Sequence, residues 1–345
     1  MIGLLVFLLA VEPVHLKVDQ RWSLARYGVE RAQAFAVSER GIIAILDRDE
    51  KQIVFIDAQG EFIRRSGRKG QGPGEFAYTP EIRWNARDSV FSVYDEIYNK
   101  LSHWDEGGNL EGETKVPRHR WMENLRYLPG AGDVVFAKFI MGYDKQTPTL
   151  IRHNTDRNQS TVLWQYPMAK PRTGTADTKM GPFGMVNDFH SRLLFGLGSD
   201  FLAVNFSAED RIHRLDLDGK PMGKPFSAGL PAWPVTETLI EDWLSEHEPF
   251  VRRMVTRKNL NLPEFYPPIR KLMVDQADRI WVFGFPRNMT GPTPYKVFSS
   301  KGKPLAVGKL PQMAQVFVNN QLFFLSEEED GPVLVRTVYQ VPEPK

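Results

Sequence analysis

The stretch Gly67-Arg-Lys-Gly70-Gln-Gly72-Pro-Gly74 combines four glycines with two cations, the composition of a loop whose backbone amides can approach an anion. A nucleotide loop needs Gly-Lys-Ser/Thr order and a helix after it. Here Pro73 and Phe76 lead back towards a strand, so the stretch reads as a connecting turn anchored by Phe76, with Arg68 left as the candidate anion contact. The seven histidines are scattered, and none has the short spacing that gives two metal ligands from one element. No structural zinc and no cofactor are expected. Calcium is left open, because Asp144, Asn187, Asp188 and Asn205 come from separate segments and carry oxygen ligands, although Asp and Asn at turns more often make local hydrogen bonds. No Gly-x-Ser-x-Gly elbow supports a serine nucleophile. With no cysteine, disulfides, thiolate catalysis and a lipid-bearing cysteine are excluded. The remaining candidates are aromatics beside arginines: Trp121 in the basic stretch Arg118-His-Arg-Trp121, then Phe183, Tyr266 and Arg287. With Arg68 they would line a pocket for a sugar, a peptide or an anionic small molecule.

These residues lie between copies of a repeated unit: an apolar strand, a polar break, a second strand and a turn ending in Gly or Asp. The copies begin at Gly41, Asp88, Gly132, Asp200, Asp278 and Asn320. The first reads Gly41-Ile-Ile-Ala-Ile-Leu-Asp47, then Ile53-Val-Phe-Ile-Asp57-Ala-Gln-Gly60. A period of roughly 40–50 residues is that of four-stranded propeller blades, and six copies give an all-β, six-bladed β-propeller over residues 14–342. One twisted sheet cannot bury both faces, whereas radial packing buries each against a neighbour. The strand Val14-His-Leu-Lys-Val18 is expected to complete the last blade and close the ring.

Two insertions break the period. Gln165 to Asn187 is rich in Pro, Gly and Thr and reads as a long loop between blades three and four. Leu230 to Pro263 reads as a helical hairpin between blades four and five: Leu239, Ile240, Trp243 and Leu244, then Phe250, Val251, Met254 and Val255, recur at helical spacing, with Thr236 as N-cap and Pro249 opening a second helix. Both follow an outer strand and precede the next inner strand, so they are expected on one face, over one mouth of the channel beside Arg68, Trp121, Phe183, Tyr266 and Arg287.

Gly67 to Phe76, and Phe265-Tyr-Pro-Pro-Ile269 leading into Val274-Asp-Gln-Ala-Asp-Arg-Ile-Trp281-Val, resemble bacterial six-bladed propellers related to NHL-repeat and TolB-like proteins. The resemblance covers nearly the whole chain from Val14. It implies the fold, and it implies no activity.

Forty-four basic against 42 acidic residues leave a charge of +2, too weak a field to hold nucleic acid or an anionic membrane. Met1 to Ala10 is almost wholly apolar. It is too short to span a bilayer and has the length of a signal-peptide core with Ala10 as a cleavage residue. A basic leader is missing, so an upstream start or a buried first strand are the alternatives. No later stretch suits a membrane span. The expectation is an exported monomer, periplasmic or secreted: a non-catalytic recognition propeller of the cell envelope for a small molecule, peptide, glycan or envelope protein. The alternative is a metal-dependent hydrolase or lyase like the gluconolactonase-like and amidating-lyase-like propellers, which would need ligands converging on the axis.

Overall fold

The computed structural model describes residues 12–79, 81–116, 122–128, 133–138, 147–166, 175–178, 181–183, 191–246, 260–287 and 291–342. Met1 to Ala10, read as a signal-peptide remnant, lies outside them.

Each repeat copy supplies the second and third strands of a four-stranded antiparallel sheet, as Ile43–Asp47 and Gln52–Ile56 do in the first. The inner strands are Ala32–Val37, Glu81–Asn85, Met122–Tyr127, Leu193–Leu197, Lys271–Val274 and Val316–Val318, in blades one to six. In the sixth blade the outer strand is the N-terminal His15–Ser23, paired from His15 opposite Gln340 to Ser23 opposite Val333. Closure by the first strand is thus as expected, and it leaves no open sheet between the two ends of the ring.

Hairpins between third and outer strands of blades one, two and four follow one design. Asp57 accepts the amides of Gln59 and Glu61 at 2.9 and 2.8 Å, and Gly60 completes the turn at φ 86°. Asp105 with Gly108 and Asp216 with Gly219 repeat it. The left-handed residue followed by a bulge is what lets a short turn join twisted strands. A Cβ on Gly60 would stand 2.2 Å from Trp22 Nε1, so this turn also seats the closing strand. Between neighbouring blades the apolar faces meet in separate clusters: Phe55 and Phe91 between blades one and two, Trp281 and Tyr339 between five and six.

Because each blade has four antiparallel strands, its outer strand ends on the face where the next inner strand begins. Both insertions are such connections, spanning 166–192 and 228–270, and strand pairing joins them: Thr175 lies opposite Asn261 and Ala176 opposite Leu260 in a small three-stranded sheet with Gly181–Phe183.

Of the expected helical hairpin, the first helix is present, and the second falls on residues outside the described ones. One helix forms, Glu237–Glu246, with the Thr236 hydroxyl accepting the Leu239 amide at 3.3 Å as the expected cap and with Ile240 buried. Before it, the chain is extended by Pro231 and Pro234, and Pro234 bridges to Phe265. After it, 247–259, including Pro249, Phe250 and Met254, lie outside the described residues, and the chain resumes as the strand Leu260–Asn261.

Candidate functional site

Inner strands face the axis, so their side chains decide what the channel holds. The cavity there has a volume of about 250 Å³, and every blade contributes to its wall, through Val37, Arg83, Arg126, Leu197, Met273 and Phe317 in order. Most of that wall is apolar, which makes the charged groups on it conspicuous.

Glu81 and Arg83 sit on the inner strand of blade two, 3.3 Å apart at Glu81 Oε2 and Arg83 Nη2. The carboxylate is already engaged, accepting the backbone amides of Asn124 and Leu125 at 2.8 and 3.0 Å. Arg83 Nε reaches across to the Leu125 carbonyl at 3.1 Å. On blade three, Asn124 takes a left-handed φ of 57° and the pairing slips between Glu123 and Arg126. Such a bulge re-aims the side chain that follows it, and here it turns Arg126 towards the channel, where Nη1 donates to Leu125 O at 2.8 Å. On blade five, Lys271 Nζ donates to Ala314 O at 2.9 Å.

Among the described residues, basic groups outnumber carboxylates here. Burial, then Arg126 and Arg83, push the Lys271 ammonium down to about 7, with Arg270 adding to the push and Glu81 opposing it. Burial, then Arg83, lowers Arg126 to about 9, again against Glu81. Arg126 therefore stays a cation at neutral pH, while Lys271 is divided between its two forms. Among the described residues, Arg83 and Arg126 line the cavity together with Glu39, and Lys271 of blade five interacts with both guanidinium groups and with Glu81, whose oxygens accept two backbone amides. Glu81 and Lys271 open their inner strands, so the cluster lies towards the mouth where the insertions arise.

Lys100 offers a contrast. Its buried ammonium meets Glu113 at 2.7 Å and Gly72 O at 3.0 Å, the arrangement of a lysine held for structure.

The residues singled out from sequence lie elsewhere. Arg68 is exposed on the loop between blades one and two and pairs with Glu75 at 2.6 Å. The same carboxylate accepts the Gly72 amide at 2.8 Å, and Gly74 donates to Glu113. The Gly72 and Gly74 amides of that loop are thus taken by the protein's own carboxylates and the Gly70 amide by Phe76 O, and Phe76 is fully buried as its anchor. Tyr266 is buried, with its amide on Trp233 O and its ring 5.3 Å from Phe285. Arg287 is exposed, its guanidinium 5.8 Å over the Trp233 ring. These two share one aromatic cluster, built from Trp233 and Tyr266 of the second insertion and Phe285 of blade five. Phe183 ends a strand of the small sheet. Trp121, Asp144, Asn187 and Asp188 lie outside the described residues. Asn205 is buried and donates to Glu209 O and Arg211 O, closing a turn of blade four. Arg83, Arg126, Lys271 and Glu81 were not singled out, although a charge inside a short apolar strand, as in Glu81-Ile-Arg83-Trp, was the available signal.

Residues 35–127 match the model of the DUF5128 family, described as a 6-bladed beta-propeller. The chain is a six-bladed β-propeller. A DUF4221 family member from Bacteroides vulgatus superposes on this propeller with a TM-score of 0.60 and 11% identity, over 96% of this chain and 99% of that one. A Bacteroides fragilis protein assigned as exported gives 0.52 and 10% identity, over 96% and 95% of the two chains. Virginiamycin B lyase from Staphylococcus aureus gives 0.48 and 12%, over 94% and 99%, a likeness too loose to bear on chemistry. No protein of curated function matches. At these identities the likeness is one of fold alone.

Proposed function

We propose that this propeller is a recognition module that takes an anionic small molecule, a carboxylate or phosphate, into the mouth of its central channel. The observation that carries the reading is the cluster of Arg83, Arg126 and Lys271 around a carboxylate already engaged by backbone. A bound anion would supply counter-charge to these cations, to which charge-assisted hydrogen bonds are the strong ones. The apolar wall would hold the rest of the ligand. The same cations would repel a divalent metal, so the channel favours binding over the metal-dependent hydrolase or lyase alternative. Export fits the apolar N-terminus and the Bacteroides fragilis protein of like fold, and the insertions joined by the small sheet are suited to shape the mouth. Kinship with the NHL-repeat and TolB-like propellers is part of this reading.

A thermal-shift series tests it. Oxalate, citrate and sulfate should raise the unfolding temperature while glycerol does not, because a ligand at a hundredfold its Kd adds about 2.7 kcal/mol. Arg126→Gln should weaken the effect about tenfold in concentration, the share of one charged hydrogen bond. Equal responses in the two proteins would refute the reading.

A further inference from the structure

We propose that the anion taken into the channel is an aromatic carboxylate, its carboxylate on Arg83 and Arg126 and its ring against Trp84 and Phe317. The inference rests on the anion reading and names the ligand class.

The charged end of the site is set by hydrogen-bond geometry. Both guanidinium groups line the cavity, and both donate to one oxygen, the Leu125 carbonyl, Arg83 Nε at 3.1 Å and Arg126 Nη1 at 2.8 Å. Two cations from neighbouring blades are thereby held side by side. Arg83 is engaged further, with Nη1 on Ile82 O at 2.9 Å and Nη2 beside Glu81. Arg126 is not: among the described residues its bond to Leu125 O is the one hydrogen bond it makes. Most of a five-donor fork, whose shape matches a carboxylate, is left without an acceptor.

The rest of the wall decides what the carboxylate is attached to. Trp84 of blade two and Phe317 of blade six are half-buried rings on the cavity. Each is backed by other aromatics: Trp84 by Phe91, with ring centroids 4.8 Å apart, and Phe317 by Trp281 at 4.9 Å and Tyr339 at 5.4 Å. Rings packed in this way keep their rotamers, so they present fixed flat walls, against which a flat ligand ring gains offset or edge contacts that an aliphatic body does not. Leu197, Met273 and Val318 continue the apolar lining, where a polar body would lose its water without finding a partner. A volume of about 250 Å³ is at the small end for ligand pockets and suits a single ring.

The test is calorimetric titration of the full chain with four probes. Benzoate carries ring and charge, cyclohexanecarboxylate a puckered ring and charge, acetate the charge alone and benzyl alcohol the ring alone. Benzoate should bind at least about thirtyfold more tightly than acetate, the effect of burying a phenyl group, and about fivefold more tightly than cyclohexanecarboxylate, the effect of aromatic contact beyond burial. Sulfate should displace benzoate, and Arg126→Gln should weaken benzoate about tenfold without changing its ratio to cyclohexanecarboxylate. Benzoate no tighter than acetate or cyclohexanecarboxylate, benzyl alcohol as tight as benzoate, or benzoate that sulfate does not displace would each overturn the proposal. Sulfate titrated on the same sample separates the two readings. If sulfate binds and benzoate does not compete with it, the aromatic class fails and the anion site stands, whereas absence of binding by sulfate and by every carboxylate removes both. The probe comparisons use the unaltered protein, so no variant has to fold for the outcome to count.

Discussion

Removing the Asp275 carboxylate should destabilise the ring by about 4 kcal/mol, and the value can be assembled from its contacts. The side chain is wholly buried. Its Oδ1 accepts the amides of Ala277 and Arg279, each at 3.0 Å. Its Oδ2 accepts Arg279 Nε and Trp281 Nε1 at 2.8 Å and the Tyr339 hydroxyl at 3.0 Å. Tyr339 belongs to the strand that pairs with the N-terminal closing strand, so one carboxylate ties blade five to the closure. In Asp275→Ala the indole N–H and the phenol stay buried without an acceptor, at roughly 1–3 kcal/mol each, while Arg279 and the turn amides can reach water. Tyr339→Phe alone should cost about 1 kcal/mol. In the double variant no phenol is left stranded, so the loss should fall short of the sum by about 1 kcal/mol. Guanidinium unfolding followed by tryptophan fluorescence gives each value, provided the transition slope is unchanged. A loss under about 1 kcal/mol for Asp275→Ala, or strict additivity in the cycle, would refute the network.

Lys271→Met should differ from the unaltered protein in a pH-dependent way. Lys271 is charged at neutral pH when unfolded but is pushed to about 7 when folded, by burial and by Arg126, Arg83 and Arg270, with Glu81 opposing. The unfolded chain therefore binds the extra proton between about pH 7 and about 10. The stability of the unaltered protein relative to the variant should rise with pH across that window and be flat below it, and a flat difference throughout would contradict the shift. Gly196→Val should cost about 1–3 kcal/mol by overpacking, because a Cβ there would lie 2.9 Å from the Met273 carbonyl carbon and separate the inner strands of blades four and five; unfolding in denaturant measures it. Arg68→Ala should leave sulfate affinity unchanged within error by calorimetry, since its partner is Glu75 and it stands outside the channel.

The fold was legible because the repeat is written in the second and third strands, which are buried on both faces and so read as near-continuous apolar runs, as in Ile43–Asp47, every residue of which is buried. Turn chemistry added the Asp57–Gly60 signature, and the strand pairing of residues around Val14 followed from the open edge. The site was less legible for the same reason. Inner strands are short and mix apolar with charged residues, so Glu81-Ile-Arg83-Trp and Arg270-Lys-Leu-Met do not stand out as strands, and only the ring brings Arg83, Arg126 and Lys271 to one axis from positions far apart in the chain. Glycines beside cations drew attention to Arg68 instead, where the amides prove to be satisfied by Glu75 and Glu113. In the second insertion, helical periodicity holds over one helix, whereas strand pairing at Leu260 depends on Ala176, far earlier in the chain, which no local pattern reveals.

The most direct test of the channel as an anion site is calorimetric titration with sulfate at pH 7.5 in buffers of different ionisation enthalpy. Sulfate does not titrate near this pH, so any proton taken up on binding comes from the protein. With Lys271 near 7 when the site is empty, binding should drive it to its charged form and take up as much as about 0.7 proton per sulfate, and Lys271→Met should bind with no uptake. Absence of sulfate binding, or binding with no proton uptake that Arg126→Gln leaves unchanged, would contradict the account.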